Sequence, residues 1–292
     1  MKTQLIKPAY EVKINPPYTP NYRDEIVRNG LRLAREEFKH NKVAIPSTVD
    51  FSAKDGDVKG STYYFVNILA GKINALTGGK IRPANAREIQ LFLRYGLIED
   101  AGRTYDDPGL TFYSNKDFNS RTYDHLCLQI ASEGWKKKFE HVEIKKPFIL
   151  TGSVDVHPDS NFDNGLRIDI NDFTEVYNHP ALLKGGRFNS NDPGLIETGF
   201  PYNLGEGDRE LFVTNSGVRW FCRGRDLGLG ARDGDLGDSS DAGRGRFVEI
   251  FSSGNEGLVT LAKRFHEEQE LKAKSLHDHF ERKRKEVQSI IF

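Results

Sequence analysis

The sequence predicts an α+β fold, with helices gathered mainly in the first third and at the end and strands between them. Three observations carry that prediction. Amphipathic and buried helical patterns occupy the chain up to about Gly96. From Asp100 it turns to short β-branched runs separated by turn residues. Its 28 Gly and 12 Pro, with an apolar fraction of 37%, point to a loop-rich mixed sheet with much surface.

Taken in order, residues 1–22 end in NPPYTPNY, where successive prolines favour an extended arm lying along a surface or a partner. From Arg23 to about His40, Ile26, Val27, Leu31, Leu33 and Phe38 among many charges form an amphipathic helical stripe. IPSTVDF is a short strand or loop. Arm and helix make a first segment, 1–60, followed by one domain over 61–254 and a helix over 255–292. A second helix, from about Ser61 to Leu76, is apolar enough at Tyr64, Phe65, Ile68, Leu69 and Ile73 to be buried. Pro83 is expected to start a third, running through AREIQLFLRYGL to a stop at Gly96.

Between Asp100 and Phe173 the runs GLTFY, FEHVEI, PFILTGSVDV and LRIDI are expected as strands. Residues 178–208 are a long loop rich in Gly, Asn and Pro, and loops of that length are usually functional or interface-forming. A strand at Glu210–Thr214 and a closing strand at Arg246–Phe251 follow. The tail from about Asn255 to Phe292 reads as a charged helix with an interrupted apolar stripe (Leu258, Leu261, Phe265, Leu276, Phe280). It packs on its own domain or serves oligomerisation or attachment.

Composition excludes several classes. With 292 residues the chain can bury a sizeable core, and its formal net charge is zero. A general nucleic-acid binder or acidic-membrane binder would need a basic excess. The first residues lack the apolar core of a signal peptide and no run approaches a membrane span, so cytosolic synthesis without membrane insertion is expected. Action outside a cell would then need another route, such as assembly into a virus particle. Cys127 and Cys222 allow one disulfide but no disulfide framework.

The most unusual stretch is Leu211–Val248, LFVTNSGVRWFCRGRDLGLGARDGDLGDSSDAGRGRFV. It contains no Lys, Glu, Gln or Met, although Lys and Glu are common elsewhere, and its charges are all Arg or Asp. Leu227, Leu229 and Ala231 form an apolar frame, with Gly228 and Gly230 between them. Gly weakens strand interiors and packs nothing, so selection for a good strand would not place it there. A fixed frame with oddly filled alternate positions describes a scaffold whose outward face is free to change.

Conventional chemistry fits poorly. GLGARDG would bind a nucleotide only between a buried strand and a helix, and the Asp-, Ser- and Gly-rich sequence after it opens no helix. Asp233, Asp235, Asp238 and Asp241 match no calcium-loop spacing and lie near Arg232, Arg244 and Arg246. Asp155, His157, Asp159 and Asp163 read as turn chemistry before a metal site. Cys222, between Arg223 and Arg225, would be an activated thiol only with a positioned base. The eight His residues show no ligand spacing. No catalytic residue, metal or cofactor is expected, and Asp alternates with the RGR pieces in a way that would repel RNA phosphates.

Residues 215–250 resemble the variable region of proteins diversified by diversity-generating retroelements, above all the archaeal and archaeal-virus variable proteins with a C-type lectin fold. In that family a repeated frame of the type GVR-x-F-x-R, L-x-L-x-A, L-x-x-S and GR-x-x-x-V carries substituted positions between fixed ones. Here the frame would be Gly217, Val218, Arg219, Phe221, Arg223, Leu227, Leu229, Ala231, Leu236, Ser239, Gly243, Arg244 and Val248. Upstream, LLKGGRFNSNDPG looks like the loop preceding the ligand-binding strands of that fold. The family's mutagenesis targets template adenines. Asn codons ending in a pyrimidine then yield Asp, Gly, Arg, Ser, Cys, Tyr and His, among others, but never Lys, Glu, Gln or Met.

The resemblance implies a non-enzymatic, hypervariable receptor- or ligand-binding protein with a C-type lectin-like domain, N-terminal helices and an extra C-terminal helix. Its variable binding positions would be Trp220, Cys222, Gly224, Arg225, Asp226, Gly228 and Gly230, then Arg232, Asp233, Asp235, Gly237, Asp238, Ser240 and Asp241. The implied partner is a protein or surface ligand on a host or neighbouring cell, bound from a virion or a displayed position, with oligomers possible. Two alternatives stand: an enzyme of the formylglycine-generating type on the same scaffold, with Cys222 reactive, and a structural virion or adhesin component. Trp220 departs from the codon pattern, and the chain continues past the region where many relatives end. The calcium-dependent sugar motifs of animal lectins are absent, so the fold does not imply sugar binding.

Overall fold

The computed structural model describes residues 17–18, 25–41, 58–59, 62–78, 81–94, 105–113, 120–214, 217–223, 228–231 and 243–250. All of them belong to one compact unit, Pro17–Ile250. The expected C-terminal helix lies outside the described residues, as does Gly96.

Helix α1 (Glu25–Glu37) buries Val27, Leu31 and Ala34 at the 3–4 residue spacing of one helical face, with Phe38 just beyond. That face meets α2 (Tyr63–Thr77) in a cluster with Phe65, Leu69 and Ile73. Thr62 caps α2, its hydroxyl accepting the Phe65 N–H at 3.0 Å, and Gly78 at φ +63° ends it. The Asn67 side chain lies inside the fold, where its Oδ1 accepts the Val154 N–H at 2.8 Å.

Pro83 does not start the third helix. It closes a short strand, β3 (Ile81–Pro83), and α3 (Ala86–Arg94) begins after Asn85. Asn85 wins because it forms a capping box. The Glu88 N–H donates to Asn85 Oδ1 at 2.8 Å and the Asn85 N–H to Glu88 Oε2 at 2.9 Å. The same Glu88 carboxylate takes both terminal nitrogens of the buried Arg82, at 2.6 and 2.7 Å.

A helix between Asp100 and Phe173 went unpredicted: α4 (Arg121–Ala131), capped by Ser120 and buried at Thr122, Leu126 and Ile130. FEHVEI, expected as a strand, is a run of turns. Phe139 is 3% exposed and anchors them, with backbone bonds from Phe139 N–H to Trp135 and from Val142 N–H to Phe139. The long loop 178–208 holds more structure than its composition suggests: a 3₁₀ turn at Pro180–Leu183, β7 (Gly186–Phe188) and α5 (Pro193–Thr198). Asp192 organises it. Although burial opposes ionisation, N–H groups of Tyr202, Asn203 and Gly194 hold this carboxyl below the usual range.

Among the described residues the main sheet has seven strands. They are β4 (Asp106–Tyr113), β5 (Phe148–Pro158), β6 (Leu166–Asn178), β7, β8 (Arg209–Val213), β9 (Gly217–Arg223) and β10 (Leu229–Ala231), in the order β6-β5-β4-β9-β10-β8-β7. β8 and β10 run parallel and the other neighbours antiparallel, so the fold is α+β with a mixed sheet. Leu110, Phe112, Phe148, Leu150 and Val218 pack on one face; Ile149, Leu211, Phe221 and Leu229 pack on the other. Two small sheets complete the unit. β1 (Pro17–Tyr18) and β3 flank β12 (Phe247–Glu249), while β2 (Val58–Lys59) pairs with β11 (Arg244–Gly245).

The long edge strand β6 is guarded by side chains. The Gln129 amide behaves as a strand peptide would, donating to the Ile168 carbonyl at 2.9 Å and accepting the Ile170 N–H at 2.8 Å. Lys138 reaches the Asp172 carbonyl at 2.7 Å, and a His141 ring nitrogen lies 3.2 Å from the Val176 carbonyl. Such covering blunts an edge that would otherwise template pairing with another chain.

Candidate functional site

The variable-type segment enters the fold through β9, a central strand with β4 on one side and β10 on the other. Gly217 begins it at φ +87°, and a Cβ there would lie 2.8 Å from an Arg219 guanidinium nitrogen. The frame residues split between the two sheet faces. Val218, opposite Phe112, belongs to the first cluster, while Phe221 belongs to the second. Phe221 stacks on Phe200 at 4.4 Å between ring centroids. The strand thus contributes to the core on both faces, through Val218 on one and Phe221 on the other, while Cys222 near its end is only half-buried.

There the register does what the frame requires. Cys222 pairs with Gly230 and Arg223 with Leu229 across β9 and β10. Leu229 is buried at 1%, whereas Cys222 and Gly230 are only half-buried. The two alternate residues share the face away from Phe221 and Leu229 and touch: a Cβ added at Gly230 would sit 3.0 Å from the Cys222 sulfur. Gly228 is buried, and Trp220 holds the register position opposite Leu110. Gly224, Arg225, Asp226, Arg232, Asp233, Asp235, Gly237, Asp238, Ser240 and Asp241 lie outside the described residues. So do the frame positions Leu227, Leu236 and Ser239.

Both ends of this segment come to one place. Arg223, at 1% exposure, donates through Nε to Asp106 Oδ2 at 2.8 Å and also through Nη2. Arg246 donates through Nε to Asp106 Oδ1 at 2.9 Å. The Arg244 N–H reaches the Tyr105 carbonyl at 2.9 Å, and Gly243 bridges to Tyr105. Val248, the last frame position, is fully buried between Arg82 of β3 and Pro17 of β1. Sequence reasoning missed Asp106 and Arg246, since neither a DDPG turn nor a GRGRF run signals a buried ion cluster.

The other candidates resolve into structural roles. Cys127 and Cys222 are not joined in a disulfide. The Arg223 guanidinium is engaged with Asp106 on the opposite side of β9 from Cys222, so it does not flank that thiol. Asp159 accepts the Asn161 N–H in a turn, Asp163 accepts the Ser120 hydroxyl and the Thr122 N–H at the start of α4, and Asp155 accepts Asn171 Nδ2. His157 turns to Asp169, 3.6 Å away, which also holds Arg167 at 2.9 Å and lies 2.8 Å from a His125 ring nitrogen. Among the described residues no three His, Cys, Asp or Glu side chains converge as metal ligands would. No described helix is long and apolar enough to cross a membrane.

Comparison with protein-family models, with curated proteins and with solved structures finds no match for this chain. The class that the coordinates define is thus a mixed α+β domain whose segment of unusual composition is anchored at both ends.

Proposed function

We propose that this chain is a hypervariable ligand- or receptor-binding protein with a C-type lectin-like fold, diversified by a retroelement and not an enzyme. One observation carries the reading. On β9 and β10 the register separates the buried frame residues Phe221 and Leu229 from the alternate residues Cys222 and Gly230, which meet on the other face. That separation coincides with the loss of Lys, Glu, Gln and Met over Leu211–Val248, the composition that adenine-directed mutagenesis leaves. Exposed or half-exposed positions tolerate exchange at small cost to stability, and affinity then depends on which aromatic or Arg anchors happen to be present.

This variant offers mainly Asp, Arg and Gly at its alternate positions, so its binding surface is polar, suited to a charged target on a host or neighbouring cell. The setting we favour is an archaeal virus or archaeon, with the protein on a virion or cell surface and oligomers allowed. The neighbouring DNA tests the reading. An adjacent reverse transcriptase and an imperfect repeat of the coding sequence for 211–248, differing at adenines, is the expected finding. An identical repeat, or none, would sink it.

A further inference from the structure

We infer that Asp106 is the positioning residue of the display segment, one buried carboxylate that fixes both stems of residues 224–245 through Arg223 and Arg246. This deepens the reading above and rests on it for the meaning of the segment, though not for the geometry. Arg223 is the last residue of β9 and Arg246 stands immediately before β12. Their partner comes from β4, separated in sequence by 117 and 140 residues. The carboxylate is therefore supplied from outside Leu211–Val248, and exchange among residues 224–245 leaves all three partners in place.

The backbone is shaped to make it. Along β4 and β9, Phe221 pairs with Gly109, and an even register would put Asp107 opposite Arg223. A bulge between Asp106 and Gly109 instead sets Asp106 there. Bulges of this kind re-aim a side chain. This one is held in place: Thr151 donates to the Pro108 carbonyl at 2.6 Å, and a Cβ at Gly109 would lie 2.5 Å from the Leu150 carbonyl oxygen. Tyr105, next to Asp106, takes the Arg244 N–H. Closing a loop costs entropy that grows only slowly with its length, so a firm closure at the stems depends little on the residues between them that are not built into the sheet. Removing one partner of a buried charge pair is costly, because the other was taken out of water to make it.

Amide hydrogen exchange on the purified full chain, without any ligand, tests this. Asp106→Asn should lower protection at least tenfold in 217–223 and 243–248 and leave 148–178 unchanged. Glu88→Gln, which breaks a buried pair elsewhere, should lower protection around 81–94 and spare β9. A uniform loss across the sheet in Asp106→Asn, or no loss at the two stems, overturns the assignment. Should Asp106→Asn fail to fold, Arg246→Met decides the matter. Loss confined to 243–250 supports the assignment, and unchanged protection there or a second failure to fold contradicts it. Since no ligand enters the measurement, a failed search for the DNA repeat leaves this result standing, and the converse holds too.

Discussion

Strands β5 and β6 pair from Phe148–Asn178 to Pro158–Leu166, whereas among the described residues β9 and β10 meet at Arg223–Leu229 and Cys222–Gly230. The first pair belongs to the half of the sheet built from long strands around stacked Phe112 and Phe148, whose rings lie 4.9 Å apart. The second half has mostly shorter strands over a second apolar cluster that includes Leu211, Phe221 and Leu229, and it adds specific ties: the Asp106 cluster, the Phe200–Phe221 stack and the Asp192 loop. A long ladder with a continuous apolar core spreads its stability over many contacts and tolerates little change at any buried one. A region of shorter strands leans more on particular ties, and its positions away from the buried residues are the ones open to exchange. The two designs coexist because β4 serves both, giving Leu110 and Phe112 to the core and Asp106 to the clasp.

The comparison can be broken most forcefully in the long-strand half. Phe148 is fully buried, and Phe148→Ala should lower stability by about 3–5 kcal/mol in denaturant unfolding. A loss below about 1 kcal/mol would mean that the core is not where the stability lies. Next in size is an acid effect in the short-strand half. His179 stacks on Phe200 at 5.0 Å and its Nδ1 accepts the Ala181 N–H. Burial, against the pull of Asp192, pushes its imidazole from 6.5 down to about 4. The folded state thus binds this proton less readily than the unfolded chain. Stability from the neutral ring is present above pH 6.5 and is lost as pH falls toward 4, roughly 3 kcal/mol in all. His179→Asn, whose side-chain oxygen can still cap Ala181, should flatten that slope, and an unchanged slope would assign the acid sensitivity to other groups. The smallest effect is at the guarded edge. Gln129→Ala removes two backbone bonds to β6 and a longer one to Asp169, costs about 1–2 kcal/mol, and should bring concentration-dependent association in size-exclusion chromatography. A monodisperse, unshifted variant would show that the edge needs no guard.

Much of the architecture was legible from local signals. Thr62 and Gly78 bound α2 as their types dictate, and the apolar stripe of α1 is buried at Val27 and Leu31. Where the sequence misled, specific side-chain partners and packing decided. Pro83 looked like a helix start, but Arg82 beside it pairs with Glu88, and the Asn85 box starts the helix at Ala86, three residues later. FEHVEI alternates like a strand, but Phe139, Val142 and Ile144 all turn to the same core, which a strand cannot do from such mixed spacing. In α4 the stripe is thin, since Leu128 is 72% exposed and only Thr122, Leu126 and Ile130 are buried. In the variable-type segment the alternation that puts Phe221 and Leu229 apart from Cys222 and Gly230 was visible in the sequence. The clasp was not, because an ion cluster joining residues more than a hundred positions apart leaves no local trace.

The central claim is that positions between the frame residues can change while the frame cannot. Thermal unfolding of two small variant sets measures it directly. One set replaces Cys222 and Gly230 together by Asn, Ser or Tyr, so that their shared space is filled consistently. The other places the same residues at Phe221 and Leu229. The account predicts midpoints within about 3 °C of the parent for the first set and losses of roughly 6–15 °C for the second. Equal losses in both sets would contradict it, making the segment ordinary core rather than a surface for display.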